Sequence, residues 1–125
     1  MITQTLNVVL DGLAKEADKL RRQLRESEEE MTFGHRKFIT SRRYGVFTAN
    51  YVKLENNQTA LKLIPAGIRA NGTLGDIVRE MHDMFAPEDV PEGFSYAYAD
   101  QSSGNRYLVD HDNRIYLLIG ENGTQ

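Results

Sequence analysis

The 125-residue chain contains no cysteine. This absence excludes a disulfide framework, a thiolate zinc site and a cysteine nucleophile. The longest apolar run is far shorter than the ~20 residues that a membrane-spanning helix needs. The first residues also lack the basic start and apolar stretch of a signal peptide. We therefore expect a cytoplasmic protein that does not associate with a membrane.

Sequence motifs of catalysis are also missing. The chain has no glycine-rich dinucleotide loop, no Walker A loop, no nucleophile elbow and no H-E-x-x-H. Its three histidines fall in different segments without the spacing of metal ligands. We predict no catalytic residue, no metal site and no cofactor, and hence a protein that is not an enzyme. The enzymatic alternative is a small pocket lined by tyrosines on neighbouring strands: Tyr96, Tyr98, Tyr107 and Tyr116.

Charge is unevenly distributed along the chain. The length fits one domain, and the formal net charge is -3. Residues 1–32 carry five basic and seven acidic side chains, a balance of -2. Residues 33–74 carry seven basic side chains and one acid, a balance of +6, whereas residues 75–125 carry three basic side chains and ten acids, a balance of -7. Such asymmetry indicates where partners bind better than the total does.

The first segment predicts one helix from about Ile2 to Glu30, which we assign to residues 1–32. Its apolar side chains follow the 4-3-4-3-4 spacing of a heptad seam: Leu6, Leu10, Leu13, Ala17, Leu20 and Leu24. Two interpretations are open. The helix lies on the sheet of its own domain, or it pairs with its copy in a coiled-coil homodimer. The narrow seam favours pairing, so we predict a homo-oligomer with these residues at the interface.

Residues 33–119 predict an α+β core domain, followed by a flexible tail at 120–125. Side chains alternate from Tyr44 to Leu54, and Asn56-Asn57 predicts a hairpin turn into a strand at Thr59–Ile64. Three further strands are expected: Phe94–Ala99, Arg106–Asp110 and Arg114–Ile119. The fold class is therefore a long N-terminal helix, an antiparallel sheet of about five strands and one short packed helix.

That short helix is predicted to begin at a Thr-x-x-Asp cap formed by Thr73 and Asp76 and to end before Ala86-Pro87. Leu74, Ile77 and Met81 belong to its apolar stripe. Backbone N–H groups at the start of this helix can hold an anion if the fold leaves them open.

The basic segment is the main candidate for function. Residues 33–47 combine arginine, lysine and aromatic side chains with no acid; guanidinium groups pair with phosphate, and aromatic rings stack on bases. We predict a non-catalytic protein that captures a phosphate-bearing, nucleotide-like small ligand. The candidate ligand-binding residues are Arg36, Lys37, Arg42, Arg43, Tyr44, Arg106 and Arg114. Long nucleic acid is not expected, because the acidic net charge repels it.

Two alternatives compete with this hypothesis. In the first alternative, the basic side chains of residues 33–47 are neutralised within the chain by Glu28–Glu30 and by the acidic C-terminal third. Alternatively, the chain is a protein-interaction module of the inhibitor, adaptor or immunity type. Its acidic face would then bind a basic partner protein through Glu88, Asp89, Glu92, Asp110 and Asp112. Asp110-His111-Asp112-Asn113 is interpreted as a hairpin turn rather than a cation loop, because aspartate and asparagine bond nearby backbone N–H groups.

Overall fold

The computed structural model describes residues 4–27 and 36–119. It is an α+β fold with two helices and one antiparallel sheet of seven strands. The elements are α1 Gln4–Ser27, β1 Arg36–Ser41, β2 Gly45–Lys53, β3 Thr59–Pro65, α2 Ile68–Met84, β4 Ala86–Pro87, β5 Phe94–Ala99, β6 Arg106–Asp110 and β7 Ile115–Ile119. The predicted tail at 120–125, the acids Glu28–Glu30 and therefore the predicted end of the first helix lie outside the described residues.

The strands lie in the order β1-β2-β3-β7-β6-β5-β4. The hairpin of β2 and β3 is confirmed, and Asn57 in its turn has φ 71°. The predictions for β5 and β6 are also confirmed. The prediction of about five strands was too low, since β1 and the two-residue β4 add one strand at each edge. β4 has only two residues, too few to show an alternating pattern, whereas β1 has six residues, as many as β5.

Two ends of the sheet can be distinguished. At the first, the β1–β2 turn (residues 42–44), the β6–β7 turn (residues 111–114) and the start of α2 lie together, as the pairs Phe47 with Pro65 and Val109 with Ile115 require. We call this the arginine end. The other end holds the finish of α2 and the β5–β6 turn, because Ala86 pairs with Ala99. A 17-residue helix is about 25 Å long, so these ends are well separated.

Helix α1 packs on the sheet of its own chain. Leu10, Leu13, Ala17 and Leu20 are all at most 4% exposed and belong to the main core. The heptad seam therefore packs on the sheet of its own domain, as in the first interpretation. Because these side chains are buried, they have no surface with which to form the predicted dimer interface. The side chains of Leu6 and Leu24 lie outside the described residues, and the oligomeric state stays a prediction without this seam.

Helix α2 begins five residues before the predicted cap. It starts at Ile68 after Gly67, and Thr73 lies inside it. The Thr73 hydroxyl is not a cap: it lies 2.8 Å from the carbonyl oxygen of Tyr44 and 3.0 Å from that of Ala70. The extra turn exists because Ala70, which is 1% exposed, packs into the core together with the predicted apolar stripe. Tertiary packing here outweighs the cost of Gly72 in a helix interior, about 1 kcal/mol.

Candidate anion-binding site

The β1–β2 turn places Arg42, Arg43 and Tyr44 against the first turns of α2. The backbone N–H of Tyr44 donates to the Ser41 hydroxyl at 3.0 Å, which closes the turn. Gly45 then adopts φ +103°, and a Cβ at this position would lie 3.1 Å from the backbone nitrogen of Ala70. Only glycine combines this backbone conformation with such a close approach. The turn is thereby fixed beside the start of α2.

Arg69 fastens the turn from the side of α2. Its guanidinium donates to the carbonyl oxygens of Arg42 and Arg43, the second at 3.0 Å. These bonds use only part of the donor capacity of a guanidinium group, which has five N–H donors. Arg69 and Arg42 therefore present two positive charges at one corner of the molecule. Arg69 was not among the predicted ligand-binding residues, since the sequence placed it in irregular chain before the helix.

Arg43 and Tyr44 are both committed to Glu80 on α2. The Tyr44 hydroxyl donates a short hydrogen bond to the Glu80 carboxylate, and an Arg43 nitrogen lies 3.3 Å from the same oxygen. The Arg43 guanidinium also sits over the Tyr44 ring, 5.0 Å from its centroid. Burial, and next the hydrogen bond to Glu80, raise the pKa of the Tyr44 phenol well above its ordinary value.

Tyr44 therefore cannot act as the predicted stacking platform. Its side chain is 1% exposed, so the ring has no open face for a base. Within the part of the chain that the structure describes, Arg43 is the member of the basic turn that pairs with an acid of the C-terminal third, Glu80. Arg43 is therefore neutralised within the chain, as the first alternative predicts. Arg42 has no carboxylate within 4.0 Å among the described residues.

Three arginines at this end have no carboxylate within 4.0 Å among the residues that the structure describes: Arg42, Arg69 and Arg114. An Arg114 nitrogen lies 3.4 Å from the side-chain oxygen of Asn71, in the first turn of α2. The cap residue of α2, Gly67, offers no side-chain hydrogen bond to the first backbone N–H groups. Unpaired guanidinium groups and an uncapped helix start both favour an anion.

The remaining predicted ligand-binding residues lie elsewhere or cannot be placed. Lys37 is five residues before Arg42 on β1, about 16 Å away at strand spacing. Arg106 pairs with Glu88 at 2.9 Å near the opposite end of the sheet. The side chain of Arg36 lies outside the described residues. Of the seven predicted residues, the structure brings together Arg42, Arg43, Tyr44 and Arg114.

Of the acidic residues predicted to bind a basic partner, some are used within the fold and others are exposed. Asp110 accepts backbone N–H groups from Asp112 at 2.9 Å and Arg114 at 3.0 Å, and the Tyr116 hydroxyl at 2.8 Å. The hairpin-turn interpretation is confirmed, with Asn113 at φ 64°. Asp112 is exposed in this turn, and Asp89 and Glu92 are exposed in the loop before β5.

The four tyrosines of the enzymatic alternative do not share one pocket, although Tyr96 and Tyr98 line a cavity of about 250 Å³ together with His82. Tyr98 and Tyr107 pair across neighbouring strands and belong to the main core, whereas Tyr116 belongs to a second cluster with Leu108 and Leu118. Residues two apart on a strand share a face, so Leu108 and Tyr107 point to opposite faces of the sheet. The four tyrosines consequently do not line one cavity.

Over residues 4–27 and 36–119, no three histidine or carboxylate side chains converge as a metal site would require. Neither of the described helices is both long and apolar enough to cross a bilayer. Comparison of the chain with protein-family models, with curated proteins and with solved structures finds no match.

Proposed function

We propose that this protein binds a small phosphate-bearing ligand at the arginine end, without catalysis. The observation that carries the proposal is the pair formed by Arg42 and Arg69. The Arg69 guanidinium donates a hydrogen bond to the backbone carbonyl oxygen of Arg42. Neither guanidinium has a carboxylate partner among the described residues. Arg114 and the uncapped start of α2 extend this positive surface.

The charge of the whole chain supports a local site. The formal net charge of the chain is -3, so three arginines without a carboxylate partner among the described residues form a local positive surface that attracts an anion. Arginine forks match phosphate oxygens bidentately, so two or three of them suit a phosphoryl or diphosphoryl group. The same net charge opposes a long nucleic acid.

Recognition is expected to rest on the phosphate rather than on a base. Tyr44 is buried, so the turn provides no ring for stacking. The apolar side chain beside the site is Ile68, which is 92% exposed at the first position of α2. A nucleotide would therefore be bound chiefly through its diphosphate, and different nucleobases would be distinguished weakly.

Calorimetric titration with pyrophosphate, ADP and adenosine tests the proposal. We expect pyrophosphate and ADP to bind and adenosine not to bind. Arg42→Ala should weaken pyrophosphate binding about tenfold, because it removes a charged donor without touching the core. Lys37→Ala is the matched control and should leave binding unchanged. Absence of binding by both phosphates, or equal effects of the two variants, would rule the proposal out.

The alternative function is binding of a basic partner protein through the acidic face. The observation that favours it is the loop from 88 to 93, all of which is exposed and which carries Val90 at 45% exposure between Asp89 and Glu92. Affinity purification from the native host discriminates the two. A stoichiometric protein that is lost on Asp89→Lys plus Glu92→Lys, with no phosphate binding, would favour this alternative.

A further inference from the structure

A cleft of about 660 Å³ opens at the end of the sheet opposite the arginines. It lies between α1, the finish of α2 and the β5–β6 turn. Its volume falls within the range of small-molecule sites. The proposed phosphate site lies about one length of α2 away, some 25 Å, so the cleft is a separate feature with its own chemistry.

The lining of the cleft is mixed, with apolar side chains from α1, the end of α2 and β5–β6 beside the polar β5–β6 turn. Phe85 stacks on Tyr107 with ring centroids 5.2 Å apart and an interplanar angle of 7°. Leu10 and Ala99 line the cleft beside this pair, and Met84, 38% exposed, lies at its edge. Tyr107 is buried beneath Phe85, so the half-buried Phe85 ring and the Met84 side chain supply the apolar surface that an alkyl chain can contact.

The charged side chains that line the cleft are both acidic. Asp11 from α1 and Asp100 from the β5–β6 turn both line the cleft, and its described lining residues include no lysine, arginine or histidine. Burial raises the pKa of Tyr107 to about 12, with further contributions from Asp100 and Asp11. Both carboxylates are therefore close enough to act on the same phenol.

Further groups affect the electrostatic potential of the cleft. Arg21 lowers the pKa of Tyr107, and its guanidinium donates to Asp18 at 2.8 Å and to the carbonyl oxygen of Leu118 at 2.9 Å; Lys15 lies one helical turn after Asp11 on α1. Helix α2 ends at Met84, and the carbonyl groups of a helix C-terminus carry partial negative charge. The helix end and the two carboxylates therefore reinforce one another.

We propose that this cleft binds an organic cation: an ammonium or guanidinium group on a short alkyl chain. The cationic group lies between Asp11 and Asp100, and the alkyl chain lies against the half-buried Phe85 ring and the exposed Met84 side chain. A free diamine and a lysine or arginine side chain of a peptide share this chemistry.

Asp100 holds the β5–β6 turn, because its carboxylate accepts the backbone N–H of Ser102 at 3.1 Å and the Ser102 hydroxyl at 2.8 Å. The hydrogen bonds to Ser102 and Ser103 lower its pKa in spite of burial. Asp100 is therefore ionised at neutral pH but is a poor target for substitution. Asp11, which is exposed on α1, is the better choice.

The test is an NMR titration with 1,4-diaminobutane that follows the methyl groups of Met84 and Ala99. 1,4-Butanediol, which has the same chain without charge, is the matched ligand. We expect the diamine to shift both methyl signals and the diol to shift neither. No shift with the diamine at tens of millimolar, or equal shifts with both compounds, would overturn the proposal.

Variants locate the binding and keep it distinct from the phosphate site. Asp11→Asn should weaken diamine binding about threefold, as expected for one partly exposed charge pair, whereas Asp89→Asn should not. Met84→Lys should abolish binding and Met84→Gln should preserve it. Arg42→Ala should leave diamine binding unchanged. Binding that survives Met84→Lys would overturn the assignment to this cleft.

A peptide arm identifies the source of the cation. Gly-Lys-Gly and Gly-Arg-Gly with blocked termini are titrated beside the diamine. Binding of either peptide more than tenfold tighter than the diamine supports a protein segment as occupant. Tighter binding of the diamine supports a free amine.

Discussion

Glu80, about one turn before the end of α2, accepts the hydroxyl hydrogen of Tyr44 and pairs with Arg43 through the same carboxylate oxygen, 3.3 Å from an Arg43 nitrogen. One carboxylate thus both anchors the β1–β2 turn to the helix and cancels one of the charges of that turn. The unpaired charge of the arginine end consequently depends on a residue that need not contact the ligand.

Glu80→Gln should therefore tighten pyrophosphate binding. The amide still accepts the Tyr44 hydroxyl, but Arg43 loses its counter-charge and becomes available to the anion. We expect binding about threefold tighter, measured by calorimetry, with a loss of about 1 kcal/mol in the free energy of unfolding. Asp76→Asn, which frees Arg79 on the same helix, is the control. An equal gain in both variants would indicate a general effect of net charge.

Leu13→Ala should destabilise the fold rather than change its assembly. Leu13 is fully buried between α1 and the sheet. Truncation of a buried leucine costs about 2–5 kcal/mol, which urea denaturation measures. Lys15→Ala, on the exposed side of the same helix, should change the free energy of unfolding by less than about 0.5 kcal/mol. A halved mass in sedimentation with unchanged stability would instead restore the coiled-coil interface.

Gly45→Ala should cost more stability than Gly93→Ala. Both glycines have positive φ, +103° and +95°, so both variants strain the backbone. Only at Gly45 would the new Cβ also press on the Ala70 backbone, at 3.1 Å, while nothing lies within 4 Å of it at Gly93. We expect a difference of at least about 1 kcal/mol between the two, again from urea denaturation. Equal losses would show that α2 yields to the turn.

Stability should fall as the pH rises through the range of tyrosine ionisation. Burial is the main cause that raises the pKa of Tyr51 and Tyr107 to about 12, from 10.0. Between these values the unfolded chain has lost a proton that the folded chain retains, so unfolding becomes more favourable. The contribution is complete below pH 10 and is lost by about pH 12. Urea denaturation at pH 9 and 11 measures it, and Tyr107→Phe should flatten the slope.

The strands were predictable where alternation was long and the turn residues distinctive. Phe47, Ala49 and Tyr51 face the main core as the alternation required, while Val52 and Leu54 pack beside the second cluster. The start of α2 was not predictable by the same means. Gly67 and Gly72 are typical of irregular chain, and the packing of Ala70 that overrides them depends on residues far away in sequence.

The partner of an apolar seam is equally hidden from the sequence. The heptad spacing of α1 indicates that one side of the helix is buried, but a sheet covers it as well as a second helix does. For the candidate site, the arginine-rich turn was recognisable, whereas the role of Arg69 was not. Its neighbours at the site are 26 and 27 residues earlier in the chain, joined to it only by the fold.

The position of β7 has a consequence for the order of folding. This last strand in chain order lies in the middle of the sheet, between β3 and β6, and Thr59 pairs with Ile119, sixty residues later. Until it inserts, β1–β3 and β4–β6 are two separate meanders, each with an unpaired edge beside the gap. Contacts of such sequence separation are slow to form. We therefore expect the pairing of β3 with β7 to limit the folding rate, and a chain stalled before that step to be prone to intermolecular strand pairing.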